Sequence, residues 1–544
     1  KTVVKRLYET DNEDYRFGRA GFTAAHDPSL KPHFCKTPES VFIGFMGKRP
    51  LYWNGMGGLL LVAGARGGKL KDILGYNILD GMCDMTLLIL DQKGELAAIS
   101  QNQTKSGKHC IYWNPLGISG MPRHHINPVS YIRADSPTLV ADVKVFAENM
   151  ISITGSANGD FFERRGREFL EAVALTIVKM DGVLTLPRLY HFLNLIPGGT
   201  DAWLDFAFEM HESGFEISRR IEEEIAQSRN NEGGGLRGIL GEIFKSFAAL
   251  SDPALMDSVS PPYDFSLEDL SSSTQKYNLY MMPPAEFIES WGPMIKALFV
   301  GAMIYKSRAP SAPRQTWILD ELAQIASGGF PLAVKLFTYG AGIGIRPWAV
   351  VQASAQMNAL GPNAETIITS SAAVRSYFAI RDLKSAETLS RMIGTESLEF
   401  NETLKQSQAL VNKQQIIRDV FGGGDPLELA RRHAHQKMAA RHRSMTGRPL
   451  RSPDELLNTP DGKQYIFMDG VPLPLFADRR AYFEERSLAG RFHPNPYHPP
   501  IDRVRVKTLF GHRWRNIITE PVPAKYEAYP QYAGGTWSYV KGCK

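Results

Sequence analysis

Cysteine is scarce in this chain: Cys35, Cys83, Cys110 and Cys543 are the only four in 544 residues, and they show neither C-x-x-C spacing nor a framework of pairs. That excludes a disulfide-stapled secreted scaffold and favours a reducing setting with free thiols. Long apolar runs are missing too. The best window, 294–305, falls short of the roughly 18 residues that cross a bilayer and already contains Lys296. The chain begins at Lys1 rather than methionine, which leaves room for an upstream signal or membrane segment. Neither charge sign dominates: 62 Lys and Arg against 57 Asp and Glu leave +5, so a nucleic-acid surface would have to come from local clustering. The histidines lack H-E-x-x-H spacing and no G-x-S-x-G elbow occurs, which removes zinc-protease and serine-hydrolase chemistry.

What is present begins with Leu59-Leu60-Leu61-Val62-Ala63, an apolar run that breaks into Gly64-Ala65-Arg66-Gly67-Gly68-Lys69-Leu70. A buried parallel strand delivering the chain to a glycine-rich turn turns backbone N–H groups toward an anion at a helix start, and a lysine adds a point charge for terminal phosphates. The match to G-x-x-x-x-G-K-[ST] is incomplete. Ala63 stands at the first glycine and Leu70 at the hydroxyl that would reach magnesium, so an ordinary strand-to-helix turn fits the same residues.

Thr316-Trp317-Ile318-Leu319-Asp320-Glu321 reads as a second buried strand ending in two acids, where open α/β sheets place ligands. Asp320 is a candidate for holding magnesium through water and Glu321 for orienting or deprotonating the attacking water. The plain alternative is a helix N-terminus, where acids are favoured by the dipole. Gln352, at the end of Trp348-Ala349-Val350-Val351, is a candidate phosphate sensor, and Arg375 a candidate arginine finger for a neighbouring copy. A strand-end amide satisfying backbone and an arginine paired with a local acid are the plain readings of those residues.

Further strands are read at 86–91, 110–115, 277–282 and 374–380, and helices at 161–179, 189–195, 203–210, 217–227, 239–250, 288–306 and 385–393. The pattern predicts an α/β fold with a mostly parallel sheet, interrupted by an inserted all-α domain. Boundaries are set at 1–183 for the first part of a nucleotide-binding domain with an irregular or edge-strand lead-in, 184–272 for the helices, 273–483 for the second part, and 484–544 for a proline-marked extended tail. A flexible turn is expected at 230–235. The one basic cluster, 426–451, carries Arg431, Arg432, Lys437, Arg441, Arg443, Arg448 and Arg451 against Glu428. It is a solvated face or a surface for nucleic acid, acidic protein or lipid head groups.

The ordered set of motifs resembles the TraG-like coupling proteins of type IV secretion and conjugation systems over nearly the whole chain. Its carriers are the loop from Ala63 to Lys69, Asp91-Gln92-Lys93-Gly94-Glu95, Ile126-Asn127-Pro128, Ile318-Leu319-Asp320-Glu321-Leu322-Ala323, Val351-Gln352-Ala353-Ser354-Ala355-Gln356, and Arg448-Pro449-Leu450 with Asp454-Glu455-Leu456. The resemblance implies a RecA-like P-loop ATPase domain split by an all-α domain and a homo-hexamer anchored at the bacterial inner membrane on its cytoplasmic face. Its implied partners are other secretion components and either a DNA–relaxase complex or protein effectors with their adaptors. It implies ATP and Mg2+ as cofactors, with the residues from Gly64 to Leu70 at the phosphates, Asp320 at magnesium, Glu321 as base and Gln352 as sensor. Leu70 and Ala63-Gly64-Ala65 depart from the family pattern, so turnover is expected to be slow or absent if magnesium is weakly held. A recruitment scaffold with a decayed nucleotide site and a soluble DNA translocase stay open beside the coupling ATPase.

Overall fold

The computed structural model describes residues 18–153, 159–230, 235–326, 329–400, 407–408, 411, 431 and 444–543. The expected turn around 231–234 and the body of the basic cluster, 432–443 with Glu428, lie outside the described residues. The chain divides into two compact units, one of residues 25–379, 461–470 and 476–544, the other of 1–24, 380–460 and 471–475.

The larger unit is built on strands β1 (Val41–Met46), β2 (Arg49–Trp53), β3 (Leu59–Ala63), β4 (Thr86–Leu90), β5 (His109–Trp113), β6 (Tyr277–Met281), β7 (Gln315–Asp320), β8 (Ile345–Val351) and β9 (Val374–Phe378). The smaller unit holds β10 (Thr395–Phe400) and β11 (Ser444–Pro449), after which β12 (Lys463–Met468) and β13 (Leu475–Asp478) complete the large sheet. That sheet has 11 strands in the order β2-β1-β13-β12-β9-β3-β8-β7-β4-β6-β5. From β9 to β5 every pairing is parallel, whereas β12 meets β9 and β13 meets β1 antiparallel. The expected α/β fold with a mostly parallel sheet is therefore the fold observed. Each residue of β3 and of β4 is buried, as strands covered on both faces require.

The apolar window at 294–305 belongs to the helix Gly292–Arg308, which is buried nearly all round and packs inside the protein. Its Lys296 is reconciled with burial by donating to the Gly329 carbonyl at 2.7 Å, and desolvation lowers its pKa to about 8. The helix backs onto the Asn127-Pro128 element: a Cβ added at Gly301 would come within 2.5 Å of the Pro128 carbonyl oxygen, so only glycine fits there. No helix among the described residues is long and apolar enough to cross a membrane.

Between β5 and β6 run the helices Leu139–Met150, Gly159–Asp181, Leu186–Leu195, Asp201–Glu212, Glu216–Asn230 and Gly235–Phe247. The helical block thus starts at Leu139, well before the boundary read at 184. The reason is packing: Gly159–Asp181 is the axis of the block, touching each of the other helices, with Phe169, Leu170, Val173, Ala174 and Ile177 fully buried. Its amphipathic period was legible, but which elements cover its apolar face was not.

The segment read as an extended tail is also different. Strands β14 (Arg503–Thr508), β15 (Gly511–Pro521) and β16 (Thr536–Val540) form an antiparallel three-stranded sheet. The prolines at 494–500 all precede it, and Val504, Val506, Trp537 and Val540 are buried beneath it. In the smaller unit, β10 and β11 pair antiparallel and the helix Leu383–Ile393 packs on Pro453–Leu457. That short helix starts in a capping box, Ser452 with Glu455, and Arg448 pairs with Glu455 at 2.8 Å.

Candidate functional site

Strand β3 sits between β8 and β9, and its C-terminal end opens into the glycine loop. The Gly67 N–H bonds the Gly64 carbonyl at 2.9 Å, Arg66 takes a left-handed φ of 60° and Gly68 one of 91°. A Cβ at Gly67 would lie 2.6 Å from that of Ala379, and one at Gly68 2.6 Å from Asp72 Oδ2. The loop closes this tightly only because those positions carry no side chain. It feeds a helix that begins with a π-turn, Leu70–Leu74, and continues as Gly75–Ile78.

Two strands away, β7 ends at Asp320, which is in register with Val350 of β8. The Glu321 N–H donates to the Val350 carbonyl at 3.0 Å while its φ is +52°, an unusual conformation for a residue with a side chain. This bend turns both carboxylates toward the glycine loop. Lys69 Nζ donates to Asp320 Oδ1 at 2.7 Å and to Glu321 Oε1 at 2.9 Å. Gln352, just past β8, donates from Nε2 to the same Glu321 Oε1 at 3.1 Å, and Gln324 donates to Oε2. Lys69, Asp320, Glu321 and Gln352 are thus one hydrogen-bonded cluster reached through Gly64, Ala65, Arg66, Gly67, Gly68 and Leu70. Arg375 is not part of it. It lies opposite Leu60 near the start of the parallel strands, stacks over Phe467 at 5.3 Å, and its Nε lacks a hydrogen-bond partner among the described residues.

The electrostatics separate the two acids. Burial raises the Asp320 pKa and Lys69 only partly opposes it, whereas at Glu321 burial is outweighed by Lys69 and Gln352 and the pKa falls. Burial alone would lower the Lys69 pKa, yet the two carboxylates raise it. Asp91, which follows β4, is pushed to about 7, chiefly by burial, with the Ala97 N–H opposing and Asp320 adding to the rise.

Asp91 gives a prediction with a definite sign. An unfolded aspartate releases its proton near pH 4, and the folded one holds it to about 7, so Asp91 subtracts stability as pH rises through that window and its cost is constant above. Asp91→Asn should leave stability nearly unchanged at pH 4.5 and raise it by about 2–4 kcal/mol at pH 8. Urea melts across that range measure it, and an equal effect at both ends would refute the assignment.

The sequence reading missed Arg479 and Asp72. Arg479 reaches from beyond β13 to the glycine loop, where its Nη1 donates to the Gly67 carbonyl at 3.0 Å and to Asp72 Oδ2 at 2.5 Å, with its guanidinium 3.7 Å from the Phe378 ring centroid. Nothing in Asp478-Arg479-Arg480 marks this role, because the contact spans 407 positions. A cavity of about 780 Å³ opens beside the loop, with its residues from Arg66 to Lys71 as floor.

Comparison with known proteins comes to the same architecture. The family described as type IV secretory system conjugative DNA transfer matches residues 16–502. No curated protein sequence matches the chain. Among solved structures, the bacterial conjugative coupling protein TrwB, lacking 70 N-terminal residues and bound to sulphate, superposes with a TM-score of 0.58 at 16% identity, covering 87% of this chain and 96% of that one. TrwB with ADP and Mg2+ gives 0.56 at 17% identity (86% and 96% covered), and TrwB with the ATP analogue ADPNP gives 0.57 at 16% (87% and 96%). At these identities the likeness is one of fold.

Proposed function

Because this chain belongs to the type IV secretory system conjugative DNA transfer family, we propose that it is the coupling ATPase of such a system, delivering a DNA–protein or protein substrate to the inner-membrane channel. The observation that carries the reading is Lys69 Nζ bridging Asp320 and Glu321 from a glycine loop 251 residues away. The ammonium holds together the carboxylates that ATP and Mg2+ would engage. TrwB, of the same fold, has been solved with ADP and Mg2+.

The donor set suits magnesium. Among the described residues no three His, Cys, Asp or Glu side chains converge on one point. The ion would be held by Asp320, water and phosphate oxygens, the mixed shell that Mg2+ prefers. When bound it would neutralise charge developing on the transferred phosphate. Lys69 would exchange its carboxylates for phosphate oxygens. Glu321, freed of the cation that depresses its pKa and steadied by Gln352, would become a better base for the attacking water at Oε1. Arg375 stays a candidate finger toward a neighbouring copy in a homo-hexamer, and a membrane anchor, adaptors and other secretion components complete the proposed setting.

The test is calorimetry with ATP and Mg2+ beside steady-state hydrolysis. The chain should bind and hydrolyse ATP, and Glu321→Gln should keep binding while losing about 10²–10⁴-fold in turnover. One observation favours the scaffold reading instead: Leu70 gives magnesium no hydroxyl. Absence of ATP binding by the unaltered chain would decide for the scaffold.

A further inference from the structure

The family match ends at residue 502, yet the cavity beside the glycine loop does not. Its far wall is made by Tyr497 and by Arg503, Arg505 and Trp514 of β14 and β15, with Tyr482 and Lys93 completing the rim. Arg505 is in register with Trp514, and Arg503 lies two residues before it on the same face. Val504, between the two arginines, is buried and lines the cavity as well, while Arg503, Arg505 and Trp514 form the exposed part of this wall. Tyr497 is 54% and Trp514 52% exposed, a high exposure for aromatic side chains lining one cavity.

The wall is fastened in place. The His493 N–H donates to the Ile99 carbonyl at 2.9 Å, Asn495 Nδ2 donates to Glu95 Oε2 at 3.1 Å, and His512 pairs with Glu484 at 2.6 Å. Glu95 opens the helix Glu95–Ile99 that follows β4, so the segment is tied to the nucleotide-binding sheet itself. A space of about 780 Å³, lined both by the glycine loop with its lysines and by aromatic rings and guanidinium groups, has the size and the chemistry to take a nucleoside triphosphate.

We propose that the C-terminal sheet β14–β16, with Tyr497, supplies from the same chain the base-binding half of the nucleotide site, Trp514 and Tyr497 stacking on the purine and Arg503 and Arg505 facing the ribose and phosphates. This rests on the nucleotide reading above. A flat heteroaromatic ring gains most from an aromatic face and a guanidinium plane, whichever base it is. Continuity with the glycine loop favours a mononucleotide over a strand of DNA in this cavity.

The experiment measures, on the full chain with Mg2+, the affinity for ATP and for tripolyphosphate, which carries the charge without the base. Trp514→Ala should weaken ATP binding roughly tenfold to hundredfold and leave tripolyphosphate binding unchanged. Trp514→Phe, which keeps a ring, should restore most of the loss and guards against misfolding as the cause. If the unaltered chain binds ATP and neither Trp514→Ala nor Tyr497→Ala changes that affinity, the base site is elsewhere and the proposal falls while the ATPase reading stands. It falls equally if Trp514→Ala weakens only a single-stranded oligonucleotide. If the unaltered chain binds neither ATP nor tripolyphosphate, the ATPase reading falls and takes this proposal with it.

Discussion

Lys69→Ala is expected to reduce ATP turnover about 10²–10³-fold, the loss that follows removal of one charged donor from a developing transition state. The same change acts on the resting protein. Without the ammonium, Asp320 and Glu321 face each other as neighbouring, partly buried carboxylates with no cation between them, and only the amides of Gln352 and Gln324 still donate to Glu321. Stability should fall by about 1–3 kcal/mol at neutral pH. Glu321, whose pKa Lys69 now holds below its ordinary value, contributes stability above that value which is lost as pH falls. In Lys69→Ala that contribution disappears, so the two proteins should converge in stability toward about pH 4, where the carboxylates take up protons. Hydrolysis assays and urea melts at two pH values test both halves. A variant that keeps full turnover removes Lys69 from the chemistry whatever its stability does.

Arg479→Met should cost about 3–5 kcal/mol, because it strands Asp72 as a buried charge without its partner. The side chains are 3% and 7% exposed, and burial pushes the Asp72 carboxyl up and the Arg479 guanidinium down, each against its partner's pull. Such a pair adds little net stability over an apolar replacement; its value is in fixing position. The double variant Asp72→Leu/Arg479→Met should therefore recover most of the stability. It should not recover nucleotide affinity, since the Gly67 carbonyl also loses the donor that holds the loop. Recovery of both would show that Arg479 has no part in shaping the loop.

What the sequence reveals and what it hides divide along physical lines. Strands β3, β4, β7 and β8 are short, carry their apolar residues in unbroken runs and lead into glycine, acid or glutamine, so both their type and their chemically active end can be read from local pattern. The meeting of Lys69 with Asp320 and Glu321 follows from that, because parallel strands carry all their C-terminal ends to one edge. Arg479 could not be found this way: its partners are chosen by the antiparallel return of β12 and β13, and no local period encodes that return. The C-terminal sheet was hidden for a similar reason. Its alternation, Arg503-Val504-Arg505-Val506, is brief, and the prolines just before it suggest irregular chain. The left-handed turn at Glu321 is likewise set by its bond to Val350 and not by its own preference.

The strand order carries a consequence for biosynthesis. None of β3, β4 and β5 neighbours another of the three; their partners β6, β7, β8 and β9 all lie beyond the helical block. Between Trp113 and Tyr277 a ribosome adds about 160 residues, a delay of roughly 10–30 seconds at ordinary elongation rates. Throughout that interval the nascent chain presents unmatched apolar edges, the hazard that favours aggregation or chaperone capture. The helices of the insert, whose contacts are local, can meanwhile condense on their own, so the sheet that carries the glycine loop is completed only after the insert has been made.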